Sequence, residues 1–144
     1  MIEITRTRDV PGTPEEVAAV VADLEGWPGW FALHKGWSGA IPTTSAVGVK
    51  FKHKVRVLGV PGEVAWEVTE LDVPRRFVLK GKGPSRTSMG IDFRISARDG
   101  GSTVSFTATI GGLAIKPIEG RLKTWLEARA DRTLDGLERV LGER

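Results

Sequence analysis

The chain has 144 residues, 40% of them hydrophobic and 27% charged, with 21 basic against 18 acidic side chains. That is enough for one cored domain over residues 1–144 and too short for two, and no stretch approaches the roughly 18 apolar residues of a membrane-spanning helix. Cysteine and tyrosine are absent and only two histidines occur, which excludes disulfides, thiolate chemistry, phenolic acids and a three-histidine zinc site. A net charge of +3 is too small an excess to make nucleic acid an expected partner, and neither metal nor cofactor is expected. The start MIEITRTRDV lacks the apolar core of a secretion signal, so a cytoplasmic location is the default expectation.

Residues 2–8 alternate, and the face carrying Ile2 and Ile4 continues through Arg6 and Arg8 to Val10, which predicts a first strand with two arginines on its inner side. Thr13-Pro14-Glu15-Glu16 places an N-cap hydroxyl, a proline at the first helical position and a glutamate three residues after the cap. A helix over 14–24 follows, with Val17, Val20, Val21 and Leu24 as its apolar face and Gly26 placed to end it through a left-handed cap. Residues 27–31 read as a second short helix or turn.

From Val49 the period becomes two. Val49, Phe51, His53, Val55 and Val57 share one face and Lys50, Lys52, Lys54 and Arg56 the other, the pattern of a strand buried on one side. Gly59-Val60-Pro61-Gly62 supplies a turn, after which Val64, Trp66 and Val68 continue the inner face while Glu63 and Glu67 stand across from the basic row. Further strands are predicted over 76–81, 86–97 (inner Met89, Ile91, Phe93, Ile95) and 103–110 (inner Val104, Phe106, Ala108, Ile110), with a tight turn at 98–101. Residues 115–141 carry Ile118, Leu122, Trp125, Leu126, Leu134, Leu137 and Leu141 at helical spacing, the one long helix. The fold class is therefore α+β: two short helices after the first strand, then a curved antiparallel sheet of about six to seven strands wrapped around a long C-terminal helix.

Thr13-Pro14-Glu15-Glu16-Val17 followed by Asp23-Leu24-Glu25-Gly26-Trp27-Pro28-Gly29-Trp30, with this order of elements, resembles the helix-grip superfamily of START lipid-transfer domains, Bet v 1 allergens and polyketide cyclase/dehydrase-like proteins. The resemblance implies a cavity between sheet and helix that takes a small hydrophobic or amphipathic ligand such as a lipid or polyketide. Leu33-His34-Lys35-Gly36-Trp37 and Gly111-Gly112-Leu113-Ala114 are further similar to actinobacterial proteins of this fold named as toxins of toxin–antitoxin pairs. That likeness leaves an antitoxin protein open as a partner, and a second copy of the chain is open as well.

Several side chains are candidates to line the cavity. Trp27, Trp30, Phe31, His34 and Trp37 concentrate aromatic area near the expected mouth, either to contact a ligand ring or acyl chain or to plug the barrel end as core. His53 stands in an apolar row between Phe51 and Val55. It is either a core histidine satisfied by a neighbour or a polar group that orients a ligand carbonyl or serves as acid/base near neutral pH. Arg6 and Arg8 could clamp a ligand carboxylate or phosphate, or emerge into water at a sheet end. Trp66, Val68, Phe77, Met89, Ile91, Phe93, Phe106, Ile118 and Leu122 complete the expected wall, with residues 113–119 and 27–37 bordering its entrance. The Lys50/Lys52/Lys54/Arg56 row, with Arg76, Lys80 and Lys82, reads first as a solvated convex face. Binding is the expected function. The alternatives are a cyclase/aromatase-type enzyme with His53 as its catalytic acid/base, and a growth-inhibiting toxin.

Overall fold

Alternating apolar and polar residues place seven strands in one antiparallel sheet of the computed structural model, which describes residues 1–143. The strands are β1 (Ile2–Val10), β2 (Gly36–Ser38), β3 (Lys50–Val57), β4 (Val60–Asp72), β5 (Arg76–Lys82), β6 (Ser88–Arg98) and β7 (Gly101–Gly111), in the spatial order β1-β7-β6-β5-β4-β3-β2. Helix α1 (Pro14–Ala22) follows β1, and helix α2 (Glu119–Gly142) ends the chain. The sheet curves around α2, whose buried residues Leu122, Leu126, Ala130, Thr133, Leu134, Leu137 and Leu141 recur at helical spacing and meet the inner rows of β1 and β7. This is the helix-grip architecture. Among the described residues no helix is long and apolar enough to cross a membrane.

The element boundaries differ from the expected ones for identifiable reasons. The capping box forms at α1, with Thr13 Oγ1 accepting from the Glu16 N–H at 3.2 Å and the Glu16 carboxylate accepting from the Thr13 N–H at 3.0 Å. The helix nevertheless stops at Ala22, where Asp23 turns extended, and Gly26 lies inside a 3-10 turn (Leu24–Gly29) instead of forming a left-handed cap. The β3–β4 turn is Leu58-Gly59, not residues 59–62, since Val57 already pairs with Val60. Both turn residues have positive φ (51° and 83°), as a two-residue hairpin that follows the strand twist requires. The C-terminal helix begins at Glu119. Pro117 lacks an N–H and its ring would clash with the carbonyl four residues back, so Leu113–Ile118 stays a 3-10 turn. Likewise β6 starts at Ser88, because Ser85 and Arg86 are left-handed (φ 56° and 59°). Strand β2, a three-residue edge pairing Trp37 with His53, was not expected.

Two contacts press the C-terminal half of α2 down. Thr133 Oγ1 accepts from the Ala32 N–H at 3.2 Å, and Gly136 lies so close to the Trp30 backbone that a Cβ there would stand 2.7 Å from the Trp30 carbonyl oxygen and 2.9 Å from its Cα. Gly136→Ala is therefore expected to lower stability by about 1–3 kcal/mol through overpacking. Gly120→Ala, on the same helix with nothing within 4 Å of the added methyl, is expected to raise it by up to about 1 kcal/mol. Urea denaturation of the two variants measures both, and equal effects would refute the close packing at Gly136.

Candidate functional site

Where the N-terminal turn of α2 diverges from the sheet, a cavity of about 320 Å³ opens. Its walls are the inward and tip residues of the β3–β4 hairpin (Val55, Val57, Leu58, Val60, Pro61, Gly62, Val64), the turn carrying Pro84, Ser85 and Thr87, then Met89 of β6 and Ile110 of β7. Ala114, Ile115, Ile118, Arg121 and Leu122 close it from the helix side. The hairpin seats directly on the turn, since a Cβ at Gly62 would come 2.7 Å from Pro84 Cγ. At the lip Val60 is 66% exposed, and Leu113, beside Ala114, is 82% exposed. Leu58 holds a left-handed backbone that strains a branched residue, and it lines the cavity. Among the described residues the only polar side chains in the wall are Ser85, Thr87 and Arg121.

One inward-facing step along β3 from Val55 stands His53, fully buried and outside the cavity wall. Trp66 Nε1 donates to His53 Nε2 at 2.8 Å, so that nitrogen carries no proton and the neutral ring is protonated at Nδ1. His53 Nδ1 then donates to His34 Nδ1 at 3.1 Å. His34 in turn carries its proton on Nε2, which is buried without a partner. Burial, with a smaller contribution from His34, pushes the His53 pKa down to about 3, and burial also lowers that of His34. Of the two readings of His53, this geometry matches the core histidine satisfied by its neighbours. Both nitrogens are engaged, burial disfavours the imidazolium, and the ring is not among the residues that line the cavity.

The aromatic cluster occupies this same inner layer. Trp27 is fully buried, donates from Nε1 to the Val21 carbonyl at 3.1 Å, and packs edge-on against Phe31 (centroids 4.7 Å) and Phe51 (5.4 Å) while stacking on Trp37 (6.3 Å). Trp30 stacks on Phe31 at 5.7 Å. Trp27, Trp30, Phe31 and Leu33 are thus core, with His34 and Trp37 half-buried against them, and none of the segment is among the residues that line this cavity: sequence clustering gives aromatic area but not the end of the sheet at which it lies. Val68, Phe77, Ile91, Phe93 and Phe106 are buried further along their strands and do not line the cavity. Of the expected wall, Val55, Met89, Ile118 and Leu122 do.

Arg6 and Arg8 face inward at the edge of the sheet and meet α2 instead of a ligand. Arg6 pairs with Glu127 (3.2 Å) and Asp131 (3.0 Å), and Arg8 with Asp135 (2.8 Å) and Glu138 (3.4 Å). Two strand residues span about 6.8 Å and four helical residues about 6 Å, so arginines two apart match acids four apart. The acids at 127, 131 and 135 carried that signal in the sequence. The wall residues that sequence reasoning missed are mainly the hairpin tip and Arg121; the run Val57-Leu58-Gly59-Val60, apolar where a turn is normally polar, was the available sign. Among the described residues no three His, Cys, Asp or Glu side chains are grouped to hold a metal ion.

The curved sheet, the gripping helix and the apolar cavity between them define a helix-grip protein of the START and Bet v 1 type. Residues 1–142 match the family described as polyketide cyclase / dehydrase and lipid transport, and the chain belongs to that family. It is 28% identical to Toxin Rv0910 of Mycobacterium tuberculosis over 115 residues, 80% of each chain. A START superfamily protein from Mycobacterium smegmatis superposes with a TM-score of 0.74 at 18% identity, covering 98% of this chain and 97% of that one. Ara h 8.0201 superposes with a TM-score of 0.72 at 13% identity, covering 99% of both.

His53 makes stability depend on pH with a definite sign. Its folded pKa of about 3 lies below the ordinary value near 6.5, so the unfolded chain binds the extra proton between those limits. The stabilisation is complete above about pH 6.5 and is lost as pH falls toward 3. Between pH 7.5 and 4.5 the loss is about 2–3 kcal/mol. His53→Gln, which keeps an acceptor for Trp66, is expected to flatten that part of the profile in urea denaturation; an unchanged slope would show that His53 does not govern it.

Proposed function

We propose that the chain binds a small hydrophobic or amphipathic molecule, lipid-like or polyketide-like, in the cavity between the β3–β4 hairpin and the start of α2. The observation that carries this reading is an apolar cavity of about 320 Å³ with only three polar side chains in its wall, within the ordinary range of small-molecule sites. At about 30 Å³ for a water-sized group, it has room for roughly ten such groups. The left-handed strain at Leu58 supports the same reading, since strained residues concentrate where function holds them. Among the described residues the wall contains no imidazole or carboxylate, which favours binding over acid/base turnover.

The test is titration with the neutral fluorophore N-phenyl-1-naphthylamine, accompanied by native mass spectrometry of gently purified protein. Ala114→Trp, at an exposed position on the cavity rim, is expected to weaken the fluorophore at least tenfold, while Ala128→Trp on the outer surface of α2 leaves it unchanged. Leu58→Asn is expected to weaken binding without lowering stability, because Asn tolerates the left-handed region that Leu resists. No fluorophore binding, or equal effects of the two tryptophans, would sink the proposal.

Growth inhibition is a second reading, favoured by the similarity to Toxin Rv0910. It would act through a protein or RNA partner on the outer face of β3, where Lys54 stands opposite Glu63 and Lys50 opposite Glu67, while Lys52 faces Ala65. Charge reversal of Lys50, Lys52 and Lys54 together is expected to abolish growth arrest on induced expression. Arrest that persists would argue against this face.

A further inference from the structure

Among the described residues Arg121 is the one charged side chain in the cavity wall, and it is exposed at the mouth. The protein pairs most of its inward or edge arginines. Arg6 and Arg8 are held by acids of α2, Arg76 by Asp92 and Glu70, and Arg129 lies over Trp125 at 5.3 Å. Arg121 has no hydrogen bond, ion pair or ring contact with any described residue. The nearest acid along its helix, Glu119, is engaged by the amino terminus of Met1 at 3.6 Å. Among the described residues no carboxylate stands in the wall to oppose the guanidinium. Of the two hydroxyls there, Thr87 already spends its proton on the Pro84 carbonyl at 2.6 Å, and Ser85 is unpartnered.

An apolar chamber with an unopposed cation at its rim sorts ligands by their polar end. The stem of an arginine lies along apolar surface while its head reaches water, and the planar guanidinium matches a carboxylate or phosphate through two parallel N–H···O bonds. A cationic head at the same place would meet Arg121 with no acid in the described wall to compensate, and Lys116 and Arg86, exposed on the two segments whose neighbouring residues line the cavity, carry the same sign of charge. The turn that bears Arg86 abuts the start of the 113–118 segment, where a Cβ at Gly112 would lie 3.3 Å from the Arg86 carbonyl oxygen.

We infer that the ligand is a single-chain amphiphile with an anionic head, carboxylate or phosphate, whose tail enters the cavity and whose head is gripped by Arg121. This rests on the cavity being a ligand site, as proposed above, and adds the charge of the ligand and the residue that selects it.

Displacement of N-phenyl-1-naphthylamine by four ten-carbon probes, decanoate, decyl phosphate, decan-1-ol and decyltrimethylammonium, tests it in the intact chain. The two anions are expected to bind roughly two- to fivefold more tightly than the alcohol, the range for an ion pair open to water, and the cation most weakly. Comparing decanoate with decyl phosphate identifies the head. Arg121→Ala is expected to reduce the ratio of anion to alcohol affinity to about one, whatever the loss of its stem does to all four probes alike, and Arg121→Lys to keep part of the preference. Equal affinities for alcohol and anions in the unaltered protein, or an anion preference that survives Arg121→Ala, would overturn the inference while leaving the cavity reading intact. Failure of all four probes together with the fluorophore would overturn both.

Discussion

The close seat of Gly136 on the backbone of Trp30 decides where the interior of this protein is solid and where it is hollow. A helix can approach a neighbouring backbone this tightly only where it carries no side chain, and the Thr133 hydroxyl hydrogen-bonds the adjoining Ala32 N–H. With that half of α2 pressed down, side chains fill the space beneath it. Some fourteen residues toward the N terminus, about 21 Å along the helix axis, Leu122 and Arg121 stand over the opposite ends of the strands, where the sheet has curled away and the space stays open.

The solid end is organised by a hydrogen-bond relay that keeps polar groups neutral. Trp66, His53 and His34 form a chain in which each ring fixes the tautomer of the next, set among Trp27, Phe31 and Trp37. A buried imidazole in such surroundings is retained because it is satisfied and uncharged. The charged groups are instead at the seam between β1 and α2, partly open to water, where Arg6 and Arg8 bridge to four acids. Pairs of this kind align the two elements more than they stabilise them. The lining of the hollow end, among the described residues, thus carries one charge, Arg121, and offers a ligand mostly dispersion contacts and burial of apolar area.

Local signals in the chain were readable because they depend on near neighbours. The two-residue period of β3 and β4, the capping box at Thr13 and the helical spacing of Leu122 to Leu141 each report on a face or a terminus. Boundaries shifted where backbone geometry overrode pattern, as at Pro117 and at the left-handed residues Leu58, Ser85 and Arg86. The candidate site was harder to read. His53 looks like a catalytic group in an apolar row, and only the position of Trp66, thirteen residues away, shows that its second nitrogen is occupied. Val55, Met89, Ile118 and Leu122 were legible as inward residues, but inwardness does not distinguish cavity from core.

The sequence by itself determined the elements, their inner faces and the class of fold, because hydrophobic period and turn chemistry act over a few residues and the order of elements leaves few ways to bury their faces. It also determined what chemistry is out of reach, through the absence of cysteine and tyrosine and the scarcity of histidine. Only the tertiary structure decided that the tryptophans plug one end, that Arg6 and Arg8 belong to α2, and that the hollow end is bounded by the Leu58 turn and Arg121. Those outcomes depend on how sheet curvature and helix tilt distribute a fixed side-chain volume, a property of packing across the whole molecule that no local stretch of sequence encodes.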